Sequence, residues 1–60
     1  MENKIGKALD ERDIKDSFLA RELRVSTMTV WRWRHNKVQP NSKYLVEISN
    51  IIECSISDLV

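Results

Sequence analysis

A chain of 60 residues with a formal net charge of +1 holds one small domain, which buries only about 60% of the surface its unfolded form exposes. A single cysteine, Cys54, and a single histidine, His35, exclude an internal disulfide and leave no ligand set for a structural zinc, so an apolar core must hold the fold and no metal or cofactor is expected. No stretch approaches about 18 consecutive apolar residues, and the opening Met-Glu-Asn-Lys lacks the apolar run of a signal peptide, so a cytoplasmic protein without a membrane partner is expected.

With one glycine, one proline and no repeat or low-complexity tract, the chain reads as short helices joined by tight turns, without strands. Ile5, Ala8, Leu9 and then Arg12 predict a first helix from about Asn3 to Arg12, ended by Asp13. Ile14, Phe18, Leu19, Ala20 and Leu23 predict a second, from about Lys15 to Arg24, with this apolar set turned inward and Ala20 small enough to let another helix cross closely. Ser26 is a good N-cap for a third helix from Thr27 to His35, and Asn36 tolerates the left-handed conformation that ends helices. Pro40 forbids continuation. Asn41 or Ser42 then caps a fourth helix carrying Leu45, Ile48, Ile51 and Ile52 inward, with Cys54 read as a core residue. Ser55 with Asp58 three residues later resembles a capping box and opens a fifth helical turn containing Ile56, Leu59 and Val60. The expected fold class is all-α, a compact bundle of four to five short helices around one core and forming one domain over residues 1–60.

The near-neutral total conceals an uneven distribution. Between Arg21 and Lys43 stand six positive side chains and one negative, whereas residues 1–20 carry four positive and five negative and residues 44–60 carry three negative alone. One strip is therefore basic, as expected of a face that meets nucleic acid, although a solvated basic helix looks similar. Advancing about 100° per residue along the third helix puts Val30 and Trp33 on one side, in the core. Met28, Trp31, Arg32 and His35 fall on the other, with Thr27 and Arg34 near the boundary. A tryptophan, a methionine and an arginine together on an outward face call for a partner. Arg32 can donate two hydrogen bonds to guanine N7 and O6, while Thr27 and Met28 at the helix start can meet a thymine methyl. Trp31 suits a base edge, a sugar-phosphate contact or the edge of the core. Lys15, Ser17 and Arg21 along the second helix, His35, Asn36 and Lys37 after the third, and Asn41, Ser42 and Lys43 at the start of the fourth suit phosphate contact or simple solvation. For His35, capping the third helix is an equal reading.

From Ile14 to Leu59 these residues resemble the phage-repressor and Cro type of helix-turn-helix, the Xre family of bacterial and phage transcription regulators. Leu19-Ala20, Leu23 and Val25-Ser26 are similar to the family's second helix and turn, and Val30 and Trp33 fit the inward positions of its recognition helix. Asn36-Lys37, Pro40, Leu45, Ile48 and the segment from Cys54 to Leu59 follow its later pattern, with Cys54 where valine is usual. The resemblance implies a lambda-repressor-like DNA-binding domain whose helix-turn-helix spans about 15–35. It implies base readers at Thr27, Met28 and Arg32, and phosphate contacts at the start of the second helix, Thr29, His35, Lys37 and Lys43.

Three positions depart from the family. Arg24 occupies the turn position usually given to glycine, which implies either a left-handed arginine or altered geometry. Asp16 stands where glutamine is frequent and would repel a nearby phosphate, with Lys15 as substitute. An arginine of the first helix often pairs with a glutamate ending the recognition helix, but Leu9 and Arg34 hold those places, so that ion pair is expected to be absent and Arg34 free for phosphate.

The expected function is sequence-specific binding of double-stranded DNA by a small regulator, repressor or Cro-like, associated with the nucleoid of a bacterial host or encoded by a phage. A homodimer on a near-palindromic operator is the expected assembly, with no small-molecule substrate. Two rivals stand beside it. The run from Val25 to Trp33 is similar to excisionase-like and MerR-like winged helices, but no glycine-rich hairpin follows. A protein-interaction module would instead use Met28, Trp31 and Val38 as a hot spot. An enzyme is not expected, because no nucleophile, metal or acid–base constellation can be assembled.

Overall fold

The computed structural model describes residues 2–60, so Met1, the first residue of the expected domain, lies outside the described residues. Helices α1 (Ile5–Glu11), α2 (Asp16–Leu23), α3 (Thr27–Arg34) and α4 (Ser42–Ile51) are followed by a single 3-10 turn, Ile56–Asp58. The expected four helices are present within one or two residues, and the expected fifth helical turn is the tighter 3-10 form. Its Asp58 carboxylate accepts hydrogen bonds from the backbone N–H (3.3 Å) and hydroxyl (3.1 Å) of Ser55.

Short helices depend on their caps, because the first N–H groups lack intrahelical partners. Ser26 Oγ accepts from Thr29 N at 3.2 Å to start α3, and Asn41, not Ser42, starts α4 by accepting from Tyr44 N at 2.9 Å. For α1 the capping oxygen comes from Asn3, whose Oδ1 accepts from Ile5 N at 3.0 Å. Lys4 N donates to Leu59 O at 2.7 Å, tying the start of the described chain to its last turn.

The core gathers residues from all four α-helices and from the chain after them: Ile5 and Leu9 from α1, Leu19 and Leu23 from α2, Val30 and Trp33 from α3, Ile48 from α4, then Ile52 and Leu59. Ala8 and Ala20 are also buried there, and α3 packs against both α2 and α1 while α4 covers α2. Leu45, Ile51 and Cys54, expected inside, are half-buried at its margin. Burial pushes the Cys54 thiol up, against an opposing pull from Arg12, so at neutral pH it packs as a small apolar group. Phe18, expected inward, is 48% exposed. Leu19, Ala20 and Leu23 define the inward side of α2, and Phe18 lies about 150° from its centre at about 100° per residue.

All four α-helices end the same way without a glycine. Asp13, Arg24, Asn36 and Glu53 take positive φ angles of 55°, 59°, 57° and 56°. In each case the next N–H reaches back to a carbonyl of the last turn: Ile14 to Leu9 (2.9 Å), Val25 to Ala20 (3.0 Å), Lys37 to Arg32 (2.8 Å) and Cys54 to Ser49 (3.0 Å). These are Schellman closures, which satisfy the orphan carbonyls. Arg24 thus keeps the helix-turn-helix turn regular by adopting the conformation normally left to glycine, with ψ 40°. A left-handed side-chain-bearing residue costs about 1–2 kcal/mol, while glycine costs about 0.4–1 kcal/mol in unfolded-chain entropy. Arg24→Gly is therefore expected to stabilise the domain by about 0.5–1 kcal/mol, raising Tm by roughly 3–6 °C in thermal unfolding followed by circular dichroism.

Candidate nucleic-acid interface

The third helix has two unlike sides. Val30 and Trp33 are 0% and 2% exposed, sharing one buried cluster with Leu19, Ala20 and Leu23, and the Trp33 ring lies 5.3 Å from that of Tyr44. On the other side Met28 and Trp31 are 54% and 41% exposed, and Thr27 and Arg32 are exposed beside them. The expected base-reading set thus stands together on one open surface, fixed in rotation by the two buried residues. The Trp31 and His35 ring centroids lie 4.2 Å apart with the planes tilted by 37°, a contact that restrains an otherwise exposed indole.

The groups expected at phosphates differ in exposure. Lys15, Ser17, Arg21, His35, Lys37 and Lys43 are exposed. Thr29 is half-buried, with its hydroxyl 2.9 Å from that of Ser26, so it belongs to the cap of α3. Asn36 ends α3, and its Oδ1 accepts from Asn3 N (2.6 Å) and Gln39 Nε2 (3.2 Å). Asn3 Nδ2 in turn donates to Trp33 O (2.9 Å) and Gln39 Oε1 (2.7 Å). This polar clasp orders the loop that carries Lys37. Sequence reasoning missed Asn3 and Gln39, and nothing in helical periodicity marks a clasp between residues 30 to 36 apart.

Arg34 is not free. Its Nε donates to Asp16 Oδ1 (3.0 Å) and Oδ2 (3.2 Å), and Nη2 to Asp16 Oδ1 (2.8 Å). Its Nη1 donates to Asp10 Oδ1 (2.9 Å) and reaches Gly6 O (3.5 Å). The expected absence of an ion pair is therefore corrected: one is present, in inverted polarity, with the cation on α3 and the carboxylates on α1 and α2. The Arg34 and Asp16 side chains are 21% and 20% exposed, so the contact is largely screened from water. The bond to Asp16, opposed by partial burial and aided by Asp10, holds the guanidinium above its ordinary range and keeps it charged. The signal lay in the helical wheel. At about 100° per residue Asp16 falls between Leu19 and Ala20 on the inward side of α2, and Arg34 about 40° from Val30.

A second helix set across a regular turn, holding a third whose outer side is open and flanked by cations, defines a helix-turn-helix DNA-binding domain. The chain belongs to the Cro/C1-type HTH DNA-binding domain family, whose model matches residues 4–60. It is also similar to a crystal structure of a Bacteroides fragilis protein provisionally described as DNA-binding, with a TM-score of 0.94 and 29% identity over 97% of this chain and 94% of that one. A search of curated proteins finds no match. Among the described residues no helix is long and apolar enough to cross a membrane.

Gly6 owes its identity to Arg34. A Cβ there would lie 2.9 Å from Arg34 Cγ and 3.6 Å from Arg34 O, and Cγ is the stiff root of the side chain. Alanine favours a helix interior over glycine by about 1 kcal/mol, but the clash opposes it by an overpacking cost of about 1–3 kcal/mol. Gly6→Ala is accordingly expected to destabilise the domain, visible as a lower urea midpoint with an unchanged m value.

Proposed function

We propose that this domain binds double-stranded DNA sequence-specifically as a small transcriptional regulator of the repressor or Cro kind, laying α3 in the major groove. The observation that carries the reading is the division of α3: Val30 and Trp33 are 0% and 2% exposed, while Met28, Trp31 and Arg32 on the other side and Thr27 at the boundary are all exposed. Arg32 forks to guanine, and Thr27, Met28 and Trp31 offer a hydroxyl and apolar surface to thymine methyl groups. Lys15, Ser17, Arg21, His35, Lys37 and Lys43 position the domain on phosphates without reading sequence. Thr29 and Asn36 contribute through the conformation of the helix ends, Asn36 with its amide N–H groups still available.

In this reading the functional unit on DNA is a homodimer, two copies of α3 entering successive major grooves about 34 Å apart on a near-palindromic operator. Exposed apolar side chains at Met28, Trp31 and Val38 also suit a protein partner, and salt separates the two. Binding through phosphates weakens with a log–log slope of about −0.9 per phosphate neutralised, whereas an apolar protein contact barely responds.

Selection of bound duplexes from a random pool, followed by a salt titration on the selected sequence, tests the reading. A recurrent half-site and a steep salt slope are expected, and equal affinity for every duplex at physiological salt would overturn it. On the selected operator Arg32→Ala is expected to cost about 1–3 kcal/mol and to relax preference at one position per half-site.

A further inference from the structure

The cleft between the α1–α2 turn and the start of α3 is lined by Asp10, Asp13 and Asp16 together with Arg34, Lys15 and Thr27. Three carboxylates thus share one cleft with a proposed base reader and a proposed phosphate ligand. Arg34 and Lys15 leave these six side chains one unit negative, and removal of Arg34 would leave them two units negative. Charges here act on an arriving phosphate, because screening at physiological salt extends over about 8 Å. Arg34 itself turns all three guanidinium nitrogens toward Asp10, Asp16 and Gly6 O and is only 21% exposed.

We propose that Arg34 serves DNA binding as the counter-ion of Asp10 and Asp16, cancelling carboxylate charge at the edge of the interface, and not as a phosphate ligand. The inference rests on the DNA-binding reading above. Asp16 occupies the first turn of α2, where the helix dipole and Ser17 favour a phosphate, and an uncompensated carboxylate at that end would cancel both. Neutralised by a two-point contact, Asp16 no longer opposes the backbone, and Lys15 next to it remains exposed and available.

The test measures affinity for the selected operator in about 0.15 M salt, with the folded fraction of each variant followed by circular dichroism at the assay temperature. Arg34→Gln is expected to weaken binding about 3- to 10-fold. That loss should exceed the effect of Lys7→Gln, which removes the same charge beside a different cleft, the one lined by Lys4, Arg12 and Ser57. The double variant Arg34→Gln/Asp16→Asn should return to within about 2-fold of the parent, since the carboxylate leaves with its counter-ion. Asp10→Asn, which leaves the two-point Asp16 contact intact, should strengthen binding about 2- to 5-fold.

A double variant as weak as Arg34→Gln would overturn the proposal, because a phosphate ligand or a purely geometric brace is not rescued by removing Asp16. Unchanged affinity of Asp10→Asn would also overturn it, and that variant decides the matter should the Arg34 variants unfold. Failure of the parent to bind any duplex defeats the DNA-binding reading together with the inference. A parent that binds while the double variant stays weak defeats the inference alone.

Discussion

The contact between Arg34 and Asp16 sets how the two helices of the helix-turn-helix meet. Burial of Val30 and Trp33 attaches α3 to the body, but the hydrophobic effect is non-directional and tolerates rotation and sliding. A planar guanidinium meeting a carboxylate at two points accepts one relative orientation. It ties the last turn of α3 to the first turn of α2, so the helices are fixed at the ends away from their shared turn as well as at the turn itself. Asp10, 70% exposed, adds direction more than energy, since an exposed pair contributes at most about 1 kcal/mol. Gly6 follows from the same contact, because the Arg34 stem crosses α1 where any side chain would stand in its way.

Using the one glycine for a close approach leaves none for the helix ends. Asp13, Arg24, Asn36 and Glu53 take the left-handed conformation instead, each against a backbone cost of about 1–2 kcal/mol that only the completed fold offsets. Asparagine and aspartate accept it more readily than arginine or glutamate, because their short polar groups bond locally. Asn36 Oδ1 bonds nearby to Gln39 and, across the fold, to Asn3. Arg24 gains no such bond among the described residues, so its conformation is imposed from outside, by the need to bring Ser26 into capping position and Val30 and Trp33 into the core.

What the sequence made legible and what it hid divide along a physical line. The caps at Ser26 and Asn41, the stop at Asn36 and the inward pair Val30 and Trp33 all depend on residues within one turn of each other, and local chemistry specifies them. The apolar set from Ile14 to Leu23 looks like one face, but Ile14 precedes α2 and Leu19, Ala20 and Leu23 alone fix its direction, which leaves Phe18 outside. Arg34 is obscured for a related reason: the family's usual pair has its cation on the first helix and its anion on the third, and here the same bridge is built with opposite signs. The Asn3 clasp had no local signal, since its partners lie at the far end of α3. The candidate interface was legible where it depends on helical phase and obscure where it depends on which charges already have partners.

That last distinction governs how the basic strip should be counted. Six cations stand between Arg21 and Lys43, but a cation already bound to a carboxylate releases no counter-ion from DNA when it approaches. With Arg34 committed to Asp10 and Asp16, the long-range pull of the strip falls to Arg21, Arg24, Arg32, Lys37 and Lys43, joined by Lys15 from outside it. In the proposed reading so few charges give only weak nonspecific attraction at physiological salt, and discrimination among sequences would then fall to the contacts made by the open side of α3. The indole beside an imidazole, the methionine, the threonine and the guanidinium on that surface would suit such a division, because apolar and bidentate contacts retain their strength in salt that screens the rest.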